Sequence, residues 1–102
     1  MRGGRFADVI RRQLDLFERE HSHLFREWAD AKTAYDGAPR EEAEERYGEL
    51  MDIAETAAEA LADLRGHYAL AVEEGVDEEY EHEFNRAAAK RFPRFALELE
   101  DR

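Results

Sequence analysis

The chain is 102 residues long, has no cysteine, and carries 15 basic against 26 acidic side chains for a net charge of −11. That length suits one domain spanning 1–102, the missing cysteine excludes disulfides and thiolate metal sites, and the negative balance argues against direct nucleic-acid binding through a basic patch. With 43 % hydrophobic and 11 % aromatic residues and two prolines, the composition fits long exposed helices better than an unfolded tail.

The first predicted element is a helix over about 5–35. Ile10, Leu14, Phe17, His21, Leu24, Trp28, Ala31 and Tyr35 fall at alternating steps of four and three, the coiled-coil spacing that keeps one seam of a helix facing a partner along its whole length. Phe6, Val9, Leu16 and Phe25 lie beside that seam, and so wide a stripe calls for more than one partner helix. A second copy packed on this helix, in a homodimer or other homo-oligomer, would supply it.

Asp36-Gly37-Ala38-Pro39 ends the helix, since Gly accepts a left-handed C′ conformation and Pro suits the first turn of the next helix. Glu41, Glu42, Glu44 and Glu45 then crowd the positive end of a second helix over about 39–74, where carboxylates are favourable. Its seam repeats the same rhythm through Tyr47, Leu50, Ala54, Ala57, Leu61, Leu64, Tyr68 and Ala71. This stretch owns the acidity: residues 38–77 hold three basic and twelve acidic side chains, net −9, against net zero over 1–37 and −2 over 78–102. Folding about residues 37–38 sets Phe17 and His21 opposite Ala57 and Ala54, and Trp28 opposite Tyr47; large faces small, as interdigitating layers require.

Gly75-Val76-Asp77 is the second break, with Gly75 ending the second helix and Asp77 as N-cap of a third over about 78–92. Phe84, Ala88, Phe92, Phe95 and Leu99 mark one face. Pro93 cannot continue the helical ladder, which predicts a stop near Arg91 and a short helix over about 93–100 folded back across Phe6, Ile10, Leu64 and Tyr68. The fold class is therefore all-α: a long antiparallel helical hairpin plus a shorter, Pro-interrupted C-terminal helix, with dimerisation completing a bundle.

Chemistry is sparser. Glu18-x-x-His21, Glu20-x-x-His23 and Glu79-x-x-His82 share a spacing that puts two metal ligands on one helical face. The run Asp77-Glu78-Glu79-Tyr80-Glu81-His82 resembles the metal-binding helix of ferritin-like and rubrerythrin-like proteins, and that resemblance implies iron binding. Glu18, His21, Glu79 and His82 are thus the candidate metal ligands, gathered across a dimer. Against the assignment, the second helix's seam of Leu50, Ala54, Ala57, Leu61 and Leu64 presents no acid. His21 is the one imidazole on a seam, and a partly buried histidine satisfied by one hydrogen bond, or a polar residue that fixes register, accounts for it ahead of a metal or pH-switch role. His67 reads as a flank residue. Tyr35-Asp36-Gly37 is also similar to the turn of W-x-G hairpins exported by type VII secretion systems, but Tyr replaces the Trp and no Tyr-x-x-x-Asp/Glu signal follows.

Ser22, Thr33 and Thr56 each sit inside a predicted helix without an identifiable base or oxyanion hole, and no glycine-rich phosphate loop is present. No catalytic residue and no cofactor are expected. Arg11, Arg12 and Asp15 interrupt any signal-type apolar stretch after the basic start, and no apolar run approaches the roughly 20 residues a membrane span needs, so the expected location is the cytoplasm. The function these features favour is a self-associating protein-interaction or scaffolding module. Its alternatives are a carboxylate–histidine metalloprotein and an acidic nucleic-acid mimic, in which Glu41, Glu45, Glu49, Asp52, Glu55, Glu59 and Asp63 imitate a phosphate backbone.

Overall fold

A computed structural model describes residues 4–97 and 99–102. Met1, Arg2, Gly3 and Glu98 lie outside the described residues, and with them part of the basic start and one residue of the expected terminal helix. The described residues form four helices and no strand: α1 (Ala7–Glu20), α2 (Ser22–Asp36), α3 (Ala43–Ala69) and α4 (Asp77–Arg91), with single 3₁₀ turns at Arg40–Glu42 and Leu99–Asp101. None is long and apolar enough to cross a membrane.

The single helix expected over about 5–35 is two helices broken at His21, whose φ of −118° and ψ of 30° leave the helical region. The His21 N–H still donates to the Phe17 carbonyl at 2.9 Å, but its own carbonyl accepts from Leu24, three residues on instead of four; the ladder tightens for one step and resumes. His21-Ser22-His23 is a run of mediocre helix formers, the local signal of the break. Heptad spacing cannot report it, because the seam faces the core on both sides: Ile10, Leu14 and Phe17 on α1 and Leu24 on α2 are all buried.

The other boundaries also shift. Gly37 ends α2 with φ −96°, not in the left-handed region, and α3 begins after a 3₁₀ turn behind Pro39. It ends at Ala69, short of 74, and only Gly75, at φ +91°, uses the left-handed conformation in the connection to α4. Asp77 does not cap α4; Val76 holds the cap position without a side-chain bond, and the Asp77 carboxylate accepts instead from the Gly75 N–H at 3.2 Å. As Pro93 dictates, α4 stops at Arg91, and Phe92 leaves the helix at φ −129°, ψ 63°. The chain beyond it is turn, and the helix expected over about 93–100 shrinks to the 3₁₀ turn at Leu99–Asp101.

Packing centres on α3, which contacts α1, α2, α4 and the terminal 3₁₀ turn. It contributes small residues, with Ala57, Ala58 and Leu61 fully or almost fully buried, while the bulk comes from Phe17, Tyr80, Phe84, Phe92 and Phe95 on the other elements. Across the connection after α2, Tyr35 and Tyr47 lie 5.9 Å apart, and Trp28 sets its edge against Phe95 at 5.8 Å. The wide stripe on the first helical stretch finds its cover inside the chain. Phe6 meets Tyr80 at 5.5 Å, and Phe25 meets Phe92 at 5.4 Å and Phe95 at 5.1 Å. That removes the reason to require a second copy on that face.

Candidate protein-interaction groove

Helices α1 and α4 run side by side in the same direction. Near the start of α1 the Glu83 carboxylate accepts from the Phe6 N–H at 3.1 Å, a cap delivered from another helix to the positive helix end. Further along, the Tyr80 hydroxyl donates to Gln13 at 2.8 Å, and at the far end the Arg91 guanidinium donates to Asp15 at 2.7 Å and Glu18 at 2.6 Å. Burial disfavours the charged guanidinium of Arg91, but the two carboxylates outweigh it and hold its pKa above the ordinary value.

Between the two helices, on the side away from α3, lies an open groove of about 700 Å³. Its floor is aliphatic, made by Ala7 and the almost fully buried Ile10 and Leu14 from α1 and by Ala87 from α4, and its rim carries the cations Arg11, Arg86, Lys90 and Arg91 beside one carboxylate, Glu83. Small residues are what let the helices approach: Gly4 abuts the Glu83 carboxyl group so closely that no Cβ fits without moving it. Two of the four cations are neutralised, Arg91 as above and Arg11 by Asp8 at 3.0 Å. Arg86 and Lys90, one helical turn apart on α4, have no acidic partner among the described residues. An apolar floor beside unpaired cations can bind an acidic amphipathic surface.

Behind the bundle, α3 carries the opposite charge. Glu45, Glu49, Asp52, Glu59 and Asp63 are all exposed, and at 100° per residue they fall within about 40° of one line. Glu49 has Arg46 at 3.2 Å and Glu59 has Arg102 at 3.8 Å; Glu45, Asp52 and Asp63 have no basic partner among the described residues.

The candidate metal ligands are not brought together within one chain. Glu18 is held by Arg91 at 2.6 Å and Glu79 by Arg5 at 3.7 Å, and positions 79 and 91 stand roughly 18 Å apart along α4 at 1.5 Å per residue. His82 is exposed on α4, and His21 stacks on Phe17 with ring centres 5.2 Å apart. Among the described residues no three His, Asp or Glu side chains form a group that could hold a metal ion. The structure does place His21 and His67 in one groove between α1 and α3, with Glu20, Asp63 and an apolar floor that includes Leu16 and Leu64. His67 is exposed at the edge of that groove, a flank position.

Two measurements follow from these surroundings. The His21 ring makes no hydrogen bond among the described residues; it stacks on Phe17 and has the His23 ring 6.0 Å away, so His21→Leu has no bond to lose and gains helix propensity. The variant is expected to match or exceed wild-type stability by up to about 1 kcal/mol in urea unfolding; a loss above that size would show that the ring is anchored. The Tyr80 phenol, by contrast, is pushed by burial up to about 12 from 10. Between those values the unfolded chain loses this proton while the folded chain keeps it, so the stabilisation is complete below pH 10 and is lost as pH rises through about 12. Tyr80→Phe should flatten the alkaline decline of the urea midpoint in that window, and an unchanged slope would contradict the burial of the phenol.

Sequence reasoning missed the groove's unpaired cations, although Arg86 and Lys90 flank Ala87-Ala88-Ala89 at a spacing that shares one face. It also missed Arg65, which directly follows Ala60-Leu61-Ala62-Asp63-Leu64, is buried, and donates to Asn85 and to the terminal backbone. Compared with protein-family models, with curated proteins and with solved structures, the chain matches none of them.

Proposed function

We propose that this protein is a helical interaction module that associates with protein surfaces, copies of itself included, and serves as a scaffold. The observation that supports the reading is the α1–α4 groove: aliphatic on its floor and rimmed by unpaired Arg86 and Lys90, on a chain whose net charge is −11. Cations left unpaired beside an apolar surface have an obvious use in contact with an acidic partner. The coiled-coil rhythm of the sequence fits the same role. Sedimentation across a wide concentration range tests the self-association. Masses rising above the 11.9 kDa of one chain support it, and a single-chain mass at every concentration overturns it.

A second reading, the acidic nucleic-acid mimic, is favoured by the alignment and exposure of the α3 acids. Its test is competition with DNA for a basic partner. Neutralising Glu45, Glu49, Asp52, Glu59 and Asp63 should abolish the competition, and competition that survives neutralisation disposes of the idea.

A further inference from the structure

We infer that copies of this chain assemble head to tail, with the acidic α3 stripe of one copy seated in the cationic α1–α4 groove of the next. The inference rests on the self-association proposed above and adds which surfaces meet and what symmetry follows.

Charge complementarity selects the occupant. Arg86 and Lys90, with no acidic partner among the described residues and only Glu83 as a lining carboxylate, favour an anionic partner, and the outer face of α3 offers an exposed carboxylate row with three members, Glu45, Asp52 and Asp63, that have no basic partner among the described residues. Two glycines on the same helix point the same way. Gly48 and Gly66 are separated by five full turns and so share a line beside the stripe; among the described residues a Cβ at either would meet nothing within 4 Å. Glycine is a poor helix former, and no close contact among the described residues requires it at these positions. Close approach by the walls of a groove on another copy gives both a role.

The geometry then decides the symmetry. The buried residues of α3, Leu50, Ala57, Ala58, Leu61 and Arg65, centre about 170° around the helix from the acidic stripe at 100° per residue. The groove is lined by α1 and α4 and by no residue of α3, so it opens on the opposite side of the bundle from the stripe. A copy can therefore offer its stripe to one neighbour and its groove to another at once. Such a contact is heterologous: it propagates into a ring or a filament and does not close as a two-fold dimer. Because the facing charges are exposed, added salt screens them and weakens the contact.

Charge reversal in the full chain tests the arrangement. One variant reverses the groove (Arg86→Glu with Lys90→Glu), and a second reverses the stripe (Glu45→Lys, Asp52→Lys and Asp63→Lys). All five side chains are exposed, and circular dichroism melts confirm that each variant is folded; Lys90→Gln serves as a milder groove variant, expected to weaken association without abolishing it. In low-salt sedimentation the wild type should form species larger than a dimer, each reversed variant alone should remain a single chain, and an equimolar mixture of the two should recover association. Wild-type association that survives either reversal overturns the head-to-tail contact while leaving self-association standing, as does a species that stops at two copies. A wild type that stays a single chain overturns both.

Discussion

Phe17→Ala is expected to cost about 3–5 kcal/mol, a large share of the roughly 5–15 kcal/mol available to a domain of this size. Phe17 is 0 % exposed and stands where three parts of the chain meet. Its ring lies 6.0 Å from Phe25 on α2, 5.4 Å from Phe92 at the end of α4 and 6.4 Å from Phe95 in the terminal segment. Truncation removes the shared neighbour of all three and opens a cavity just below the break at His21, where the backbone is least regular. Urea unfolding should show a much lower midpoint with an unchanged slope. A loss under about 1 kcal/mol would mean that the surrounding rings collapse into the space and that the junction is less rigidly packed than described.

Arg65→Met is expected to cost about 3 kcal/mol and to loosen the end of the chain before the rest. The Arg65 side chain, on a residue only 7 % exposed, donates to Asn85 Oδ1 at 2.8 Å, to the Leu99 carbonyl at 2.9 Å and to the Arg102 carbonyl. One guanidinium thus ties α3 to α4 and to the terminal 3₁₀ turn, over sequence separations of 20, 34 and 37 residues. Methionine keeps an apolar stem of similar length but takes a donor from Asn85 Oδ1, from the Arg102 carbonyl and from the Leu99 carbonyl, which keeps only the Arg102 N–H at 3.2 Å, and each lost buried partner costs about 1–3 kcal/mol. Hydrogen exchange of the Phe95 and Leu99 amides, which donate to Phe92 and Ala96, should accelerate well beyond that of α3. Equal acceleration everywhere would show a global loss of stability and no strap. The Nε of Arg65, buried without a partner, has no physical account in the surrounding contacts.

Much of the helical layout could be read directly. Alternating steps of four and three locate the long helices because one seam faces the core along most of each, Tyr47 being the half-exposed exception within α3, and Pro93 marks the end of α4 because it cannot donate to the ladder. Periodicity is blind to a break that preserves phase, so His21 reads as an odd seam residue when it is the interruption itself. What covers the first helical stretch was the least legible part. A wide apolar stripe states that more than one helix must cover it, but not whether that helix belongs to the same chain. Phe84, Phe92, Phe95 and Leu99 were legible as a face, and only the fold shows that Phe92 and Phe95 close over Phe25. The groove was hidden for a different reason. Net charge averages Arg86 and Lys90 into a chain of −11, and pairing information is needed to see that these two cations lack acids while Arg91 has two.

The proposed head-to-tail contact runs through charge, and salt dependence separates it from association through an apolar face. Sedimentation of the wild-type chain at one fixed concentration, in low and then high salt, reads the sign directly. Charge-driven contact predicts assemblies at low salt that dissociate to the 11.9 kDa chain as salt screens the facing ions. Association that persists or strengthens at high salt would contradict it and return the interface to an apolar face of α1 or α2.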